Sequence, residues 1–245
     1  MTLRTVGSVS SLFLDTPVLR KAGRRLIPVC KTAAEDGTIF FLRSREGDRS
    51  VTEEIYEDHA YRKYLPLRPG ANVIDVGAHI GAFTLDASRA VGEAGRVFAI
   101  EPLSQSFKLL QMNLEANKIK NVATFHIAAG DHDGTVVLNI YKSSASASVG
   151  QRSEKEVRKE EVQIRTLDSL SEEVRWPRID FIKINVEGHE LAVLEGARQI
   201  ISRYSPRVAL DTHKFGPSQE AVVALLHESY SRVEVDGSML TAWNA

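Results

Sequence analysis

Apolar residues in this chain gather into short, nearly unbroken runs separated by stretches of helical period. Ala71–Val76 (ANVIDV), Arg96–Ile100 (RVFAI), Asn121–Ile127 (NVATFHI), Ile179–Ile184 (IDFIKI) and Arg207–Asp211 (RVALD) read as strands, the most apolar of them covered on both faces. Between them lie helical patterns. One runs from the turn after Val76 to about Arg89, and one capped by Ser104 carries Phe107, Leu109, Leu110, Met112 and Leu114 mostly on one side. Glu190–Ile201, with Leu191, Leu194 and Ala197 on its buried face, and Ser218–Leu226 supply two more. Strand and helix alternating over short links predict right-handed crossovers and a parallel sheet.

Two interruptions stand out. Thr135–Tyr141 and Val162–Thr166 read as a β-hairpin inserted into the α/β framework. Its tip holds the tract Ser143-Ser144-Ala145-Ser146-Ala147-Ser148, read as a lid or a linker, and a mixed-sign cluster from Arg152 to Glu161, read as a solvated face. The chain closes on a second hairpin, Arg232–Val235 and Leu240–Trp243, around Asp236-Gly237. Before the framework, residues 1–35 show no firm period. Gly37–Arg43 reads as a strand and Val51–Tyr64 as a helix, and Pro69-Gly70 ends this segment. Residues 1–65 are therefore an N-terminal extension and residues 66–245 the main domain.

Composition narrows the classes. Hydrophobic residues at 43% and charged residues at 26% suit a folded domain, and a net charge of −1 gives no global field for nucleic acid. One cysteine, Cys30, excludes an intramolecular disulfide framework and a cysteine-rich zinc site. No apolar run approaches the ~18 residues that span a bilayer, so a cytoplasmic protein without a membrane partner is expected. Arg4, Arg20, Lys21, Arg24 and Arg25 against the single Asp15 resemble a transit peptide in composition; an ordinary basic arm explains them as well. A homo-oligomer is neither indicated nor excluded.

In an open parallel sheet, ligands bind beyond the carboxyl ends of the strands. Polar groups gather there: Asp75-Val76-Gly77-Ala78-His79-Ile80-Gly81, Glu101-Pro102, Ala128-Ala129-Gly130-Asp131, Asn185-Val186-Glu187-Gly188-His189 and Asp211-Thr212-His213. Gly77 and Gly81 bracket a turn that opens a helix whose N–H groups point into it. Glu101, 24 residues beyond Gly77, can accept both hydroxyls of a ribose. The turn lacks the second glycine of a dinucleotide fingerprint, His79 standing in that place, and there is no phosphate-loop lysine. Asp75 would repel a diphosphate and attract an ammonium. A ribose, an ammonium and a sulfonium without phosphate describe S-adenosylmethionine. Ala128 and Ala129 are placed to offer backbone groups to its adenine.

These residues also resemble a known family. Residues 75–85 (DVGAHIGAFTL), Glu101-Pro102, Asn113-Leu114-Glu115-Ala116-Asn117, Thr166-Leu167-Asp168-Ser169-Leu170 and residues 179–190 (IDFIKINVEGHE) look like the FkbM-type methyltransferases over roughly residues 50–215. The resemblance implies a class I methyltransferase (Rossmann-like) fold, a seven-stranded, mostly parallel sheet with helices on both faces and a reversed final strand. It also implies O-methylation of a sugar or natural-product alcohol. Asn185 stands where the family usually has aspartate. It contributes no charge to a divalent metal, and no metal is expected.

Methyl transfer to an alcohol needs a positioned nucleophile and gains from a base. His189, Glu187, His213 and Asp211 are the candidate bases, with His189 first because imidazole titrates near neutrality; Asn185 cannot act as a base but can donate its amide to a substrate oxygen or accept from the cofactor ammonium. Tyr56, His59 and Tyr61 are expected to line the acceptor pocket, with core packing as the competing explanation. Asp131-His132-Asp133-Gly134 reads as a turn rather than a metal site. An NAD-dependent oxidoreductase and a degenerate cofactor-binding scaffold remain as competing functions.

Overall fold

The structure, a computed structural model, describes residues 4–5, 29–44, 47–140, 147–149, 158–211 and 219–244. Its first part is a small antiparallel sheet in the order β1 (Arg4–Thr5), β2 (Val29–Ala33), β3 (Ile39–Arg43). The sequence reading missed β2, because five residues reading Val-Cys-Lys-Thr-Ala show too little alternation to stand out. Next comes α1 (Asp48–Thr52), which widens at once into a π-helical turn over Glu53–Glu57, where the Asp58 N–H donates to the Glu53 carbonyl at 3.0 Å. The expected α-helix over Val51–Tyr64 is thus a helix of about two turns followed by bends, and the wider turn changes which side chains share a face.

The framework follows as expected: β4 (Asn72–Val76), α2 (Ala82–Val91), β5 (Arg96–Ile100), α3 (Ser104–Ala116) and β6 (Val122–Phe125). Ala128–Ala129, expected as a loop, forms β7 and pairs in parallel with β10. The inserted hairpin is β8 (Gly134–Ile140) and β10 (Arg158–Arg165), antiparallel, with β9 (Ala147–Val149) added to β8. It is therefore a four-stranded sheet, ordered β7-β10-β8-β9. Arg158–Glu161, expected on a solvated face, belong to its strand β10, and Glu160 is used as a structural acceptor there. Most of the tip, 141–146 and 150–157, lies outside the described residues.

The chain then passes through α4 (Leu167–Val174), β11 (Phe181–Ile184), α5 (Glu190–Glu195), α6 (Arg198–Tyr204), β12 (Arg207–Asp211), α7 (Gln219–His227), β13 (Arg232–Asp236) and β14 (Met239–Trp243). The helix expected over Glu190–Ile201 is two helices, parted at Gly196-Ala197. The main sheet runs β13-β14-β12-β11-β4-β5-β6, parallel except for β14, which opposes both neighbours. This is the seven-stranded sheet with a reversed strand that the sequence led us to expect. Alternate residues of its central strands face opposite layers. Ile74 and Val76 pack with Leu170, Val193 and Ile201, whereas Val73 and Val97 pack with Phe83, Ala87 and Val91. Each such side chain contributes about 1.5–3 kcal/mol on burial.

The N-terminal segment shares this core. Phe40, Leu42 and Tyr56 are buried in one cluster with Ile80, Leu85, Leu109 and Leu110. Its sheet is joined to α3 by side-chain amides. The Asn117 and Asn113 oxygens accept the Ile39 and Phe41 N–H groups at 2.9 and 2.6 Å, and the Asn117 amide donates to the Ile39 carbonyl at 2.7 Å. The third outward N–H of β3, on Arg43, donates to Asp48 at 2.7 Å. Among the described residues no helix is long and apolar enough to cross a membrane.

Candidate cofactor and acceptor site

A cleft of about 1020 Å³, its open mouth included, lies across the carboxyl ends of β4, β5 and β11. Gly77, Ala78, His79, Glu101, Pro102, Ala128, Ala129, Asn185, Glu187 and His189 line it, ten of the positions singled out from the sequence. The turn after β4 is built by close approach. Gly77 has φ +75°, and a methyl group there would lie 1.9 Å from the Asn185 carbonyl oxygen. Only glycine therefore allows β4 and β11 to converge at the floor of the cleft.

Glu101 forms the far wall. It is buried, and its two carboxylate oxygens accept the His79 and Leu103 N–H groups, each at 2.8 Å. Burial pushes its carboxyl up, against the pull of nearby His79 and the two N–H groups. Each oxygen keeps a lone pair for a hydroxyl, the geometry a ribose diol requires. The one lysine or arginine among the described lining residues is Lys183, and its ammonium is already held by Asp75 at 2.9 Å and by the Gly77 and Val76 carbonyls at 2.7 and 3.3 Å. No cation is left there for a diphosphate. A buried carboxylate and a glycine turn, with no free cation among the described lining residues, fit an adenosyl group carrying a sulfonium.

Across from Glu101, Glu187 and Gly188 have φ +61° and +101°, a left-handed pair that turns the chain sharply after β11. The buried Glu190 carboxyl accepts the Val186 and Gly188 N–H groups at 3.3 and 3.1 Å and holds this turn. Burial raises the Glu190 carboxyl above its ordinary range. His189 follows, its Nε2 buried without a hydrogen-bond partner among the described residues and packed against Gly130. Burial lowers its imidazole, with the Asp131 charge opposing. The neutral ring is the form that can take a proton.

Several expected placements are corrected. Asp75 does not line the cleft. It is fully buried, its carboxylate bound by Lys183 and by the Thr84 hydroxyl at 2.5 Å, so it faces an internal ammonium rather than a ligand's. Gly81 also lies off the cleft and serves packing: it starts α2 at φ +92°, and a methyl group there would meet the Leu110 side chain at 2.6 Å. Tyr56 is buried against Phe40, its hydroxyl bonded to Thr38 and Asp36. His59 turns outward to Asp86 at 3.0 Å. The face that reaches the cleft from this segment carries Val51 and Ile55 instead. Tyr61 is buried edge-on to Phe83, and its hydroxyl meets the Asn185 side chain, so it touches the site only through that residue. Burial pushes its phenol up, and the Asp211 and Asp75 charges add to this. Asp211 ends β12 half-buried and off the cleft, and His213 lies outside the described residues.

The sequence reading overlooked Lys183, Val51, Ile55, Phe83 and Leu138, all of which line the cleft. A lysine at an inward position of the run IDFIKI was the one available signal. Likewise, no group of three or more side chains able to hold a metal occurs among the described residues.

Comparison with known proteins agrees with this geometry. The model of the methyltransferase FkbM domain matches residues 75–233. The chain is 27% identical over 165 residues to methyltransferase 1 of Beauveria bassiana (strain ARSEF 2860), covering 60% of this chain and 66% of that protein, just under two thirds of its length. It is 25% identical over 225 residues to methyltransferase sdnD of Sordaria araneosa, covering 79% of this chain and 85% of the relative. The crystal structure of methyltransferase FkbM from Methylobacillus flagellatus KT superimposes with a TM-score of 0.52 at 20% identity, over 71% of this chain and 44% of that one, a likeness of fold. With its sheet order, its strand-end cleft and a family match over most of its length, the chain belongs to the FkbM methyltransferases, a family dependent on S-adenosylmethionine.

Proposed function

We propose that this chain moves a methyl group from S-adenosylmethionine to a hydroxyl of a small molecule, with His189 as the base. The observation that carries the proposal is the buried, unpartnered Nε2 of His189 at the cleft, beside the turn of Glu187 and across from Glu101. When bound, the cofactor supplies an electrophilic sulfonium methyl. Glu101 holds its ribose and the Ala128-Ala129 backbone borders its adenine. Asn185, whose amide can donate or accept, sits at the floor between cofactor and acceptor. Val51, Ile55 and Phe83 give the acceptor side an apolar wall that excludes water. The His189 imidazole would take the acceptor hydroxyl's proton, and the bound cofactor would supply the methyl group, its carbon–sulfur bond breaking to leave a neutral thioether.

The test has two stages. S-adenosylmethionine and S-adenosylhomocysteine, but not NADH, should raise the melting temperature, by about 5–11 °C at 100 times Kd for a chain of this size. His189→Gln should then keep that shift while turnover of a hydroxyl acceptor falls about 10²–10⁴-fold. The wild-type rate should stay level as pH falls below the ordinary imidazole value of about 6.5, because burial lowers the pKa of His189 and the base form persists. A melting shift with NADH alone would refute the assignment. Cofactor binding without turnover of any acceptor would favour a scaffold.

A further inference from the structure

Arg43 and Asp48 form an ion pair at 2.9 Å whose two side chains are both fully buried and do not line the cleft. Two of the guanidinium's bonds close on Asp48: Nε reaches Oδ2 and Nη2 reaches Oδ1, each at 2.9 Å. Two bonds leave the pair. Nη2 also lies 2.6 Å from His79 Nε2, and Nη1 donates to the Ser106 hydroxyl at 3.2 Å. The same His79 nitrogen lies 3.4 Å from Asp48 Oδ1, so the ring stands against both members of the pair.

These two contacts fall on the two segments that hold Glu101. His79, in the left-handed region at φ +53°, donates its N–H to one carboxylate oxygen. Leu103 donates to the other, and the first turn of α3 that follows it contains Ser106. One buried cation therefore fixes the spacing of both donors that aim the carboxylate. The same pair stands at the start of α1, which carries Val51 into the cleft.

We propose that Arg43 and Asp48, acting through His79, are positioning residues that aim Glu101 at the ribose of the cofactor and so make cofactor affinity depend on the N-terminal sheet. This rests on the methyltransferase reading above. A pair that served only folding would have no reason to touch both donor segments. Arg43 does so with donors that its two-pronged contact to Asp48 leaves over.

The experiment compares S-adenosylhomocysteine with its 2′,3′-dideoxy analogue by calorimetry on the full chain. The analogue lacks the hydroxyls that Glu101 accepts. Wild-type protein should bind S-adenosylhomocysteine about tenfold or more tightly than the analogue, as expected for hydrogen bonds to a charged group. His79→Asn keeps the N–H and tolerates positive φ, but its amide stops short of Arg43. The double variant Arg43→Met/Asp48→Leu removes both charges together, which buried pairs tolerate far better than loss of one partner. In each, S-adenosylhomocysteine should weaken about tenfold while the analogue binds as before, so the ratio collapses. An unchanged ratio in the folded variants overturns the proposal, as does equal weakening of both ligands. If the double variant does not fold, His79→Asn decides, because it leaves the ion pair intact. Failure of wild-type protein to bind S-adenosylhomocysteine would overturn the cofactor reading itself.

Discussion

The turn between β4 and α2 is held by two buried ion pairs that grip it differently. Lys183–Asp75 lies within the main sheet, between neighbouring parallel strands, and its ammonium takes the Gly77 and Val76 carbonyls directly. Arg43–Asp48 comes from the N-terminal segment and reaches the turn only through the His79 ring. The first sets the path of the backbone; the second sets the aim of one carboxylate. Burying charge costs several kcal/mol per ion, and here both costs fall beside the same five residues.

The comparison breaks most readily at Lys183. Lys183→Met leaves the Asp75 carboxylate buried without its counter-charge and should destabilise the fold by about 3–5 kcal/mol, read by urea unfolding. Lys183→Met/Asp75→Leu should recover most of that loss, and a double variant as unstable as the single one would show that the carbonyl contacts dominate. A smaller effect is expected where α3 joins the turn to the N-terminal sheet. The Asn113 amide donates to the Ile80 carbonyl at 2.8 Å while its oxygen takes the Phe41 N–H. Asn113→Ala should cost about 1–3 kcal/mol by leaving these groups unpaired, measured in the same titration. The smallest effect sharpens the contrast between paired and unpaired buried charge. Among the described residues Glu190 has no cationic partner in its hydrogen bonds, and burial raises its carboxyl. A folded-state pKa above the unfolded value means stability is present below about 4.5 and falls as pH rises through the folded value. Glu190→Gln is free of that loss, so its melting temperature should gain on wild type between pH 5 and pH 8.

The same contrast explains what could be read from the sequence. The main sheet was legible because its strands are short apolar runs and because sites in such sheets fall at strand ends; Gly77, Glu101 and His189, singled out on that ground, do line the cleft. The role of Asp75 was not, since its partner Lys183 stands 108 residues away and only the pairing of β4 with β11 brings them together. Tyr56 and His59 were misplaced for a local reason. A helical period assumed from Val51 onward fails where the turn widens to π geometry, and it is Val51 and Ile55 that face the cleft. The partnership of Arg43 with His79 had no sequence signal, because it joins a buried arginine in a short strand to a residue read only as the replacement of a fingerprint glycine.

The outward edge of β3 has a consequence beyond the site. Unpaired N–H and C=O groups on an exposed strand offer a template on which another chain can lay a strand. Here the N–H groups of Ile39, Phe41 and Arg43 are already taken by Asn117, Asn113 and Asp48. Two side-chain amides and a carboxylate have supplied what a fourth strand would have supplied with backbone. The small sheet is closed on that side against any newcomer, and a cell that concentrates this protein gains a surface on which cross-strand aggregation cannot start.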